Sequence, residues 1–155
     1  MNNQGLKIRL AKPTEAETIV AFQLKMALET ENLILEAKVV EQGVKAVFAD
    51  KSKGQYWIAK SGSEIIASML MTPEWSDWRN ATVLWFQSVY VISEYRGKGV
   101  FRSMYEKLKL FVKQSENIAG LRLYVDKRNI AAGKVYEKLG MNGDHYNFFE
   151  WMEDF

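Results

Sequence analysis

The sequence predicts a single α+β domain with helices laid over a mixed sheet. Three observations predict it. Strand-like and helix-like stretches follow one another in the order β-α-α-β-β-β-α-β-α-β. The stretch from Thr82 to Ile92 is apolar on both faces, as a mid-sheet strand with layers above and below is. A turn carrying two glycines then leads into an amphipathic helix from Val100 to about Gln114.

Taken in order, Leu6–Leu10 alternates apolar and basic residues, the pattern of a half-buried strand, and Pro13 stops it. Thr14 and Glu17 have the spacing of a capping box for a helix reaching about Glu29. Glu29–Asn32 breaks that pattern, and a second helix is expected over Glu36–Ala49. The strands Gln55–Lys60 and Glu64–Met71 flank Ser61-Gly62-Ser63, a hairpin signal. Pro73–Asn80 reads as a polar and aromatic loop. In the strand that follows, strict alternation puts Leu84, Phe86, Ser88 and Tyr90 on one face and Val83, Trp85, Gln87, Val89 and Val91 on the other. The helix after it points Met104, Leu108, Phe111 and Val112 inward. Gly120–Val125 is a further strand. Asn129 caps a short helix from Ile130 to Leu139, with Gly140 as its C′ residue. Tyr146–Met152 is the last strand expected.

The chain has 155 residues, which favours one domain spanning its whole length. Apolar residues make up 48% and charged residues 26%, the balance of a soluble globular protein. Its net charge of +2 is too small to make nucleic acid or a membrane surface the main partner. There is no cysteine, which excludes disulfides, Cys-ligated zinc and a cysteine nucleophile. A lone histidine, His145, argues against a His-based metal site or a Ser-His-Asp triad, so no metal is expected. No apolar run approaches the ~18 residues of a membrane span, and MNNQGLKIRL lacks a signal-peptide pattern, so a cytoplasmic location is expected.

The turn Arg96-Gly97-Lys98-Gly99-Val100-Phe101 stands at the mouth of a helix. Backbone amides there point outward at the positive end of the helix dipole, and glycine lets the chain approach a phosphate closely. An anion cradle and an ordinary strand-to-helix loop are both compatible with this local pattern.

The segment Val89–Gly99, with Arg96 and Gly99 in register, resembles the acetyl-CoA signature of the GCN5-related N-acetyltransferase superfamily. Asn129, Ala132, Tyr136, Leu139 and Gly140 resemble that family's second half, and the order of elements matches from residue 6 to 152. The resemblance implies a sheet of about six to seven strands with helices on both faces, splayed between the fourth and fifth strands. It implies acetyl-CoA as co-substrate in that splay, and direct transfer of acetyl to a primary amine of a small molecule or peptide. Homodimers are common in folds of this kind. A non-catalytic acyl-CoA sensor or partner-binding module is the alternative. One position departs from the signature: Phe101 stands where Gly or Ala is usual, and its ring either crowds the pyrophosphate or turns inward.

On this resemblance the amides from Gly97 through Lys98, Gly99, Val100 and Phe101 to Arg102 take the pyrophosphate, aided by the Arg96 and Lys98 side chains. The backbone of Val89, Tyr90 and Val91 pairs with the pantetheine amides as an added strand would, and an amide near Val89 donates to the thioester oxygen. Tyr136 stands at the general-acid position; by its local pattern alone it is a core aromatic. Asn129 reaches the cofactor arm as well as capping its helix. Glu29 and Glu31, at the junction bordering the acceptor pocket, are the candidates for general base or amine binding, or else solvated surface charges. Trp75, Asp77 and Trp78 are candidates for substrate binding, the tryptophans as a cation–π wall and Asp77 as an acid that attracts an ammonium. A hairpin folded back on the sheet or a dimer contact is the other reading of the tryptophans.

Overall fold

The computed structural model describes residues 5–153; the first four residues of the N-terminal stretch and the last two of the expected domain lie outside it. The elements are β1 (Leu6–Leu10), α1 (Ala16–Glu31), α2 (Ala37–Ala49), β2 (Gln55–Ser61), β3 (Glu64–Ser76), β4 (Ala81–Val91), α3 (Val100–Lys113), β5 (Ile118–Leu123) and α4 (Ile130–Lys138). The backbone divides into two compact units, one reaching to Arg122 and the other beginning at Leu123.

In the first unit the strands lie in the order β1-β2-β3-β4-β5. The first four pair antiparallel. The Thr82 amide at the start of β4 donates to the carbonyl of Asn117, just before β5, at 2.9 Å. Both strands run on from that bond, so β5 lies parallel to β4 and the sheet is mixed. Residues alternate across β2. Tyr56 and Ile58 face Ile19 of α1 and Val44 of α2 in a buried cluster. Between them Trp57 turns to the other face and meets Phe111 of α3, with ring centroids 5.6 Å apart. Helices therefore cover both faces, and burial pushes the Tyr56 phenol up to about 12. The buried residues of α3 are Val100, Met104, Tyr105 and Leu108. Val100 and Tyr105 thus hold the buried places expected of Phe111 and Val112, and Phe111 sits at the edge of the contact, 36% exposed.

Strict alternation fails in β4. Leu70 pairs with Ser88 and Met71 with Phe86, leaving Gln87 as an extra residue. This β-bulge reverses the facing of everything before it. Tyr90 lies on the α1 face, its ring 5.1 Å from that of Phe22. Phe86 lies on the α3 face, 5.8 Å from Phe101 and 6.3 Å from Tyr105. The single face expected to carry both Phe86 and Tyr90 does not exist.

The expected loop from Pro73 is mostly strand. β3 continues to Ser76, with Pro73 opposite Leu84 and Trp75 opposite Thr82. Pro73 is tolerated because β2 ends at the pair Gln55–Met71, so this part of β3 has only β4 beside it and one side needs no donor. At the start of α1, Glu15 replaces Glu17 as the capping acid. Pro13–Glu15 forms a 3-10 turn, and the Glu15 carboxylate accepts the Lys12 amide at 2.7 Å.

In the second unit, α4 begins as expected: Asn129 Oδ1 accepts the Ala132 amide at 3.1 Å. Gly140 follows its C-cap with φ +86°, the left-handed conformation that suits glycine there. Tyr146–Met152 forms no strand, and the sheet has five strands among the described residues, against the six to seven expected. Alternating aromatics favour a strand only where a neighbouring edge supplies the ladder. Here Tyr124 stacks on Phe148 at 4.8 Å, while Phe149 and Trp151 stand exposed.

Candidate functional site

The turn after β4 is built by glycine geometry. A 3-10 turn, Ser93–Tyr95, ends the strand, and Gly97 (φ +70°) and Gly99 (φ +76°) then take left-handed conformations. Gly99 is the N-cap of α3, and the helix's first internal bond runs from the Ser103 amide to the Gly99 carbonyl at 3.0 Å. The amides of residues 100–102 precede that bond, so they project from the helix start. A Cβ placed on Gly97 would meet nothing within 4 Å, so its surface opens outward. Lys98 lies exposed with its ammonium 5.4 Å from the Tyr95 ring, and Arg102 is exposed beside it. A helix N-terminus, a turn whose surface is open at Gly97, and two exposed cations suit a pyrophosphate. Phe101 turns its ring inward against Phe86 and Tyr105.

Arg96 is engaged elsewhere. Its Nε donates to the Val91 carbonyl at 2.8 Å, and its Nη2 donates to Glu29 Oε2 at 2.5 Å. The guanidinium lies 5.3 Å from the centre of the Tyr90 ring, and the Tyr90 hydroxyl donates to Glu29 Oε1 at 3.0 Å. Both oxygens of Glu29 are thereby occupied. The Arg96 bond, and then the Tyr90 bond, hold the carboxyl below the usual carboxylate range. Burial, with the Glu29 hydrogen bond, pushes the Tyr90 phenol up. Beside this group lies a cavity of about 520 Å³ lined by Phe22, Lys25, Glu29, Glu64, Tyr90 and Tyr95, among others.

Of the residues singled out in the sequence, Glu29, Tyr90, Val91 and Arg96 come together. Glu31, the last residue of α1, is exposed. Trp75, Asp77 and Trp78 sit at and beside the tip of the β3–β4 hairpin, where Asp77 accepts the Trp78 amide at 3.0 Å and Trp78 is 92% exposed. The bulge lies three residues before Tyr90. Counting from the Thr82–Asn117 bond, the short β5 runs out about three residues before β4 does, so β4 extends past it at Val89–Val91. In the second unit Tyr136 is half-buried on α4, and burial pushes its phenol up. Asn129 uses its carbonyl oxygen for the cap, a bond that does not involve its NH₂ group.

Lys25, Glu64, Glu94 and Tyr95, which line the cavity with Glu29, gave no signal in the sequence. They reach it from α1, β3 and the turn after β4, and no local spacing links these. Among the described residues, no group of three His, Cys, Asp or Glu is placed to hold a metal ion, and no helix is long and apolar enough to cross a membrane.

A family model described as the acetyltransferase (GNAT) family matches residues 24–141. No curated protein matches the chain. Among solved structures, a possible acetyltransferase from Clostridium difficile 630 is 41% identical, with TM-score 0.90, over 97% of this chain and 99% of the other. A ribosomal-protein-alanine N-acetyltransferase from Brucella melitensis shares the fold at 13% identity, with TM-score 0.77, over 96% of this chain and 99% of its own. So does an aminoglycoside acetyltransferase from an uncultured soil sample, solved with sisomicin: 11% identity, TM-score 0.75, covering 99% and 100%.

Proposed function

Because this chain belongs to the GNAT acetyltransferase family, we propose that it transfers the acetyl group of acetyl-CoA directly to a primary amine of a small molecule or peptide. The observation that carries this reading is the turn at Gly97–Gly99, two left-handed glycines leading into α3, with an open surface at Gly97 and exposed Lys98 and Arg102 beside the helix start. In this reading residues 6–152 act as one acetyltransferase domain. The amides from Gly97 to Arg102 and the Lys98 and Arg102 charges receive the pyrophosphate. The backbone of Val89–Val91, beyond the reach of β5, pairs with the amides of the pantetheine arm, and an amide near Val89 faces the thioester oxygen.

Proton movement falls to Tyr136. A phenol raised by burial stays protonated at neutral pH and can donate to the departing thiolate. Asn129 offers its NH₂ group to the cofactor arm. Glu29, bonded through both oxygens, is poorly placed to accept a proton. Glu31 or a water chain relays the proton lost by the amine. Trp75, Asp77 and Trp78 stand at the other end of β4 from Val89, about 25 Å along the strand, and take no part in this reading. The inward ring of Phe101 removes one motive for reading the chain as a non-catalytic acyl-CoA-binding module.

The test is to incubate the purified protein with acetyl-CoA and a panel of polyamines, amino acids, peptides and aminoglycosides, following free thiol. Release of thiol with at least one amine is expected. Silence across the panel, together with no acetyl-CoA binding by calorimetry, would refute the proposal.

A further inference from the structure

We propose that Glu29 is a positioning residue for the glycine turn: it acts through Arg96 to brace the backbone that leads into α3. The inference rests on the reading that this turn receives acetyl-CoA. It concerns α1, an element that contributes nothing to the turn in sequence.

Arg96 immediately precedes the first left-handed glycine. Glycine gives that turn its shape and also leaves it with many accessible conformations, so something must restrict it. Arg96 does so from two sides. Its Nε is tied back to the Val91 carbonyl five residues earlier, closing the loop after β4. Its Nη2 is tied to Glu29, 67 residues away on α1. Glu29 is itself fixed by the Tyr90 hydroxyl, and the Tyr90 ring packs on Phe22 of the same helix while lying near the guanidinium. The carboxylate therefore joins α1, the end of β4 and the turn in one network. A planar, forked guanidinium can make both bonds at once; a lysine ammonium on a flexible stem cannot reproduce that geometry.

The same arrangement explains why Arg96 heads the turn yet is committed within the protein, to Glu29 and to the Val91 carbonyl. With its Nη2 on Glu29 and its Nε on Val91, its charge is matched by a carboxylate on α1. The positive charge left for a phosphate comes from Lys98, Arg102 and the helix start.

The experiment compares the wild-type protein with Glu29→Gln, Arg96→Gln, Arg96→Lys and the double variant Glu29→Gln/Arg96→Gln. Thermal melts confirm that each is folded. Acetyl-CoA binding is measured by calorimetry, and KM for acetyl-CoA separately from kcat once an acceptor is in hand. Each single variant, the lysine variant included, is expected to weaken acetyl-CoA binding about five- to tenfold. The double variant should be no weaker than Arg96→Gln alone, and KM should change more than kcat. Wild-type affinity in Glu29→Gln, additive losses in the double variant, or full affinity in Arg96→Lys would each overturn the brace. A kcat loss with unchanged KM would do so too. Amide hydrogen exchange at Tyr95 and Arg96, whose amides bond the carbonyls of Ile92 and Ser93, separates the two ideas in ligand-free protein. Faster exchange in Glu29→Gln supports the brace, and unchanged exchange overturns it, even if the wild-type protein binds no acetyl-CoA and the functional reading falls.

Discussion

Phe101 packs its ring edge-on against Phe86, with centroids 5.8 Å apart and planes at 65°. Tyr105, one turn further along α3, completes the cluster. The one residue that departs from the acetyl-CoA signature is thus part of the interface between α3 and the sheet, and its backbone alone belongs to the turn. Replacing Phe101 with Ala should cost about 3 kcal/mol of stability, the low end for truncating a packed phenylalanine. The loss should show in chemical denaturation and exceed any loss in acetyl-CoA affinity. Tighter binding at unchanged stability would mean that the ring crowds the cofactor after all.

Gly97 offers a cleaner probe of the turn. An alanine Cβ there meets no neighbour, so only the left-handed backbone resists it. Gly97→Ala should therefore cost about 1 kcal/mol in a denaturant titration. Acetyl-CoA affinity should fall along with stability, because the added methyl stands on the surface that faces the phosphate. Unaltered affinity would remove this turn from the binding reading.

Tyr136→Phe should lower kcat about ten- to a hundredfold and change KM for acetyl-CoA little, since only the hydroxyl is lost. Because burial raises the phenol above its ordinary 10.0, its deprotonation should not shape the rate below about pH 10. Initial rates from neutral to alkaline pH check both points, and equal turnover in Tyr136→Phe would exclude it as the acid.

The acid limb of stability should depend on Glu15. Arg9 grips its carboxylate through two hydrogen bonds, of 2.6 and 2.9 Å, and lowers it from 4.5 to about 2. A depressed acid stabilises the fold above its unfolded value and loses that contribution as pH falls toward its folded value. The contribution should therefore be complete above about pH 5 and vanish as pH falls from 4.5 toward 2. Glu15→Gln should lower stability by about 2 kcal/mol at neutral pH and flatten the decline in that window, as read by melting temperature against pH.

What the sequence made legible was local. The Asn129 cap, the Gly140 C′ position, the two glycines before α3 and the span of α2 each depend on neighbours a few residues away, and each lies where its spacing indicated. Features that depend on pairing partners were not legible. Pro73 reads as a strand breaker until β2 is seen to stop at Gln55, leaving one side of β3 without need of a donor. Glu17 has the capping spacing, and nothing local singles out Glu15, whose role comes from Arg9 of β1 reaching it. Tyr146–Met152 carries strand periodicity, but periodicity does not supply an edge. The bond between Glu29 and Arg96 spans 67 residues, so each looked like a candidate for separate chemistry: one as a base, the other as a phosphate ligand.

The extra residue at Gln87 has a consequence for any survey of substitutions along β4. In a regular strand, tolerance to polar residues rises and falls with a period of two. Here the rhythm must slip by half a period midway. Even-numbered positions face α3 at Phe86 and α1 at Tyr90, with Gln87 as the syncopated beat, its side chain bonded to Thr72 at 2.9 Å. Deleting that single residue would restore the rhythm and turn one end of the strand inside out.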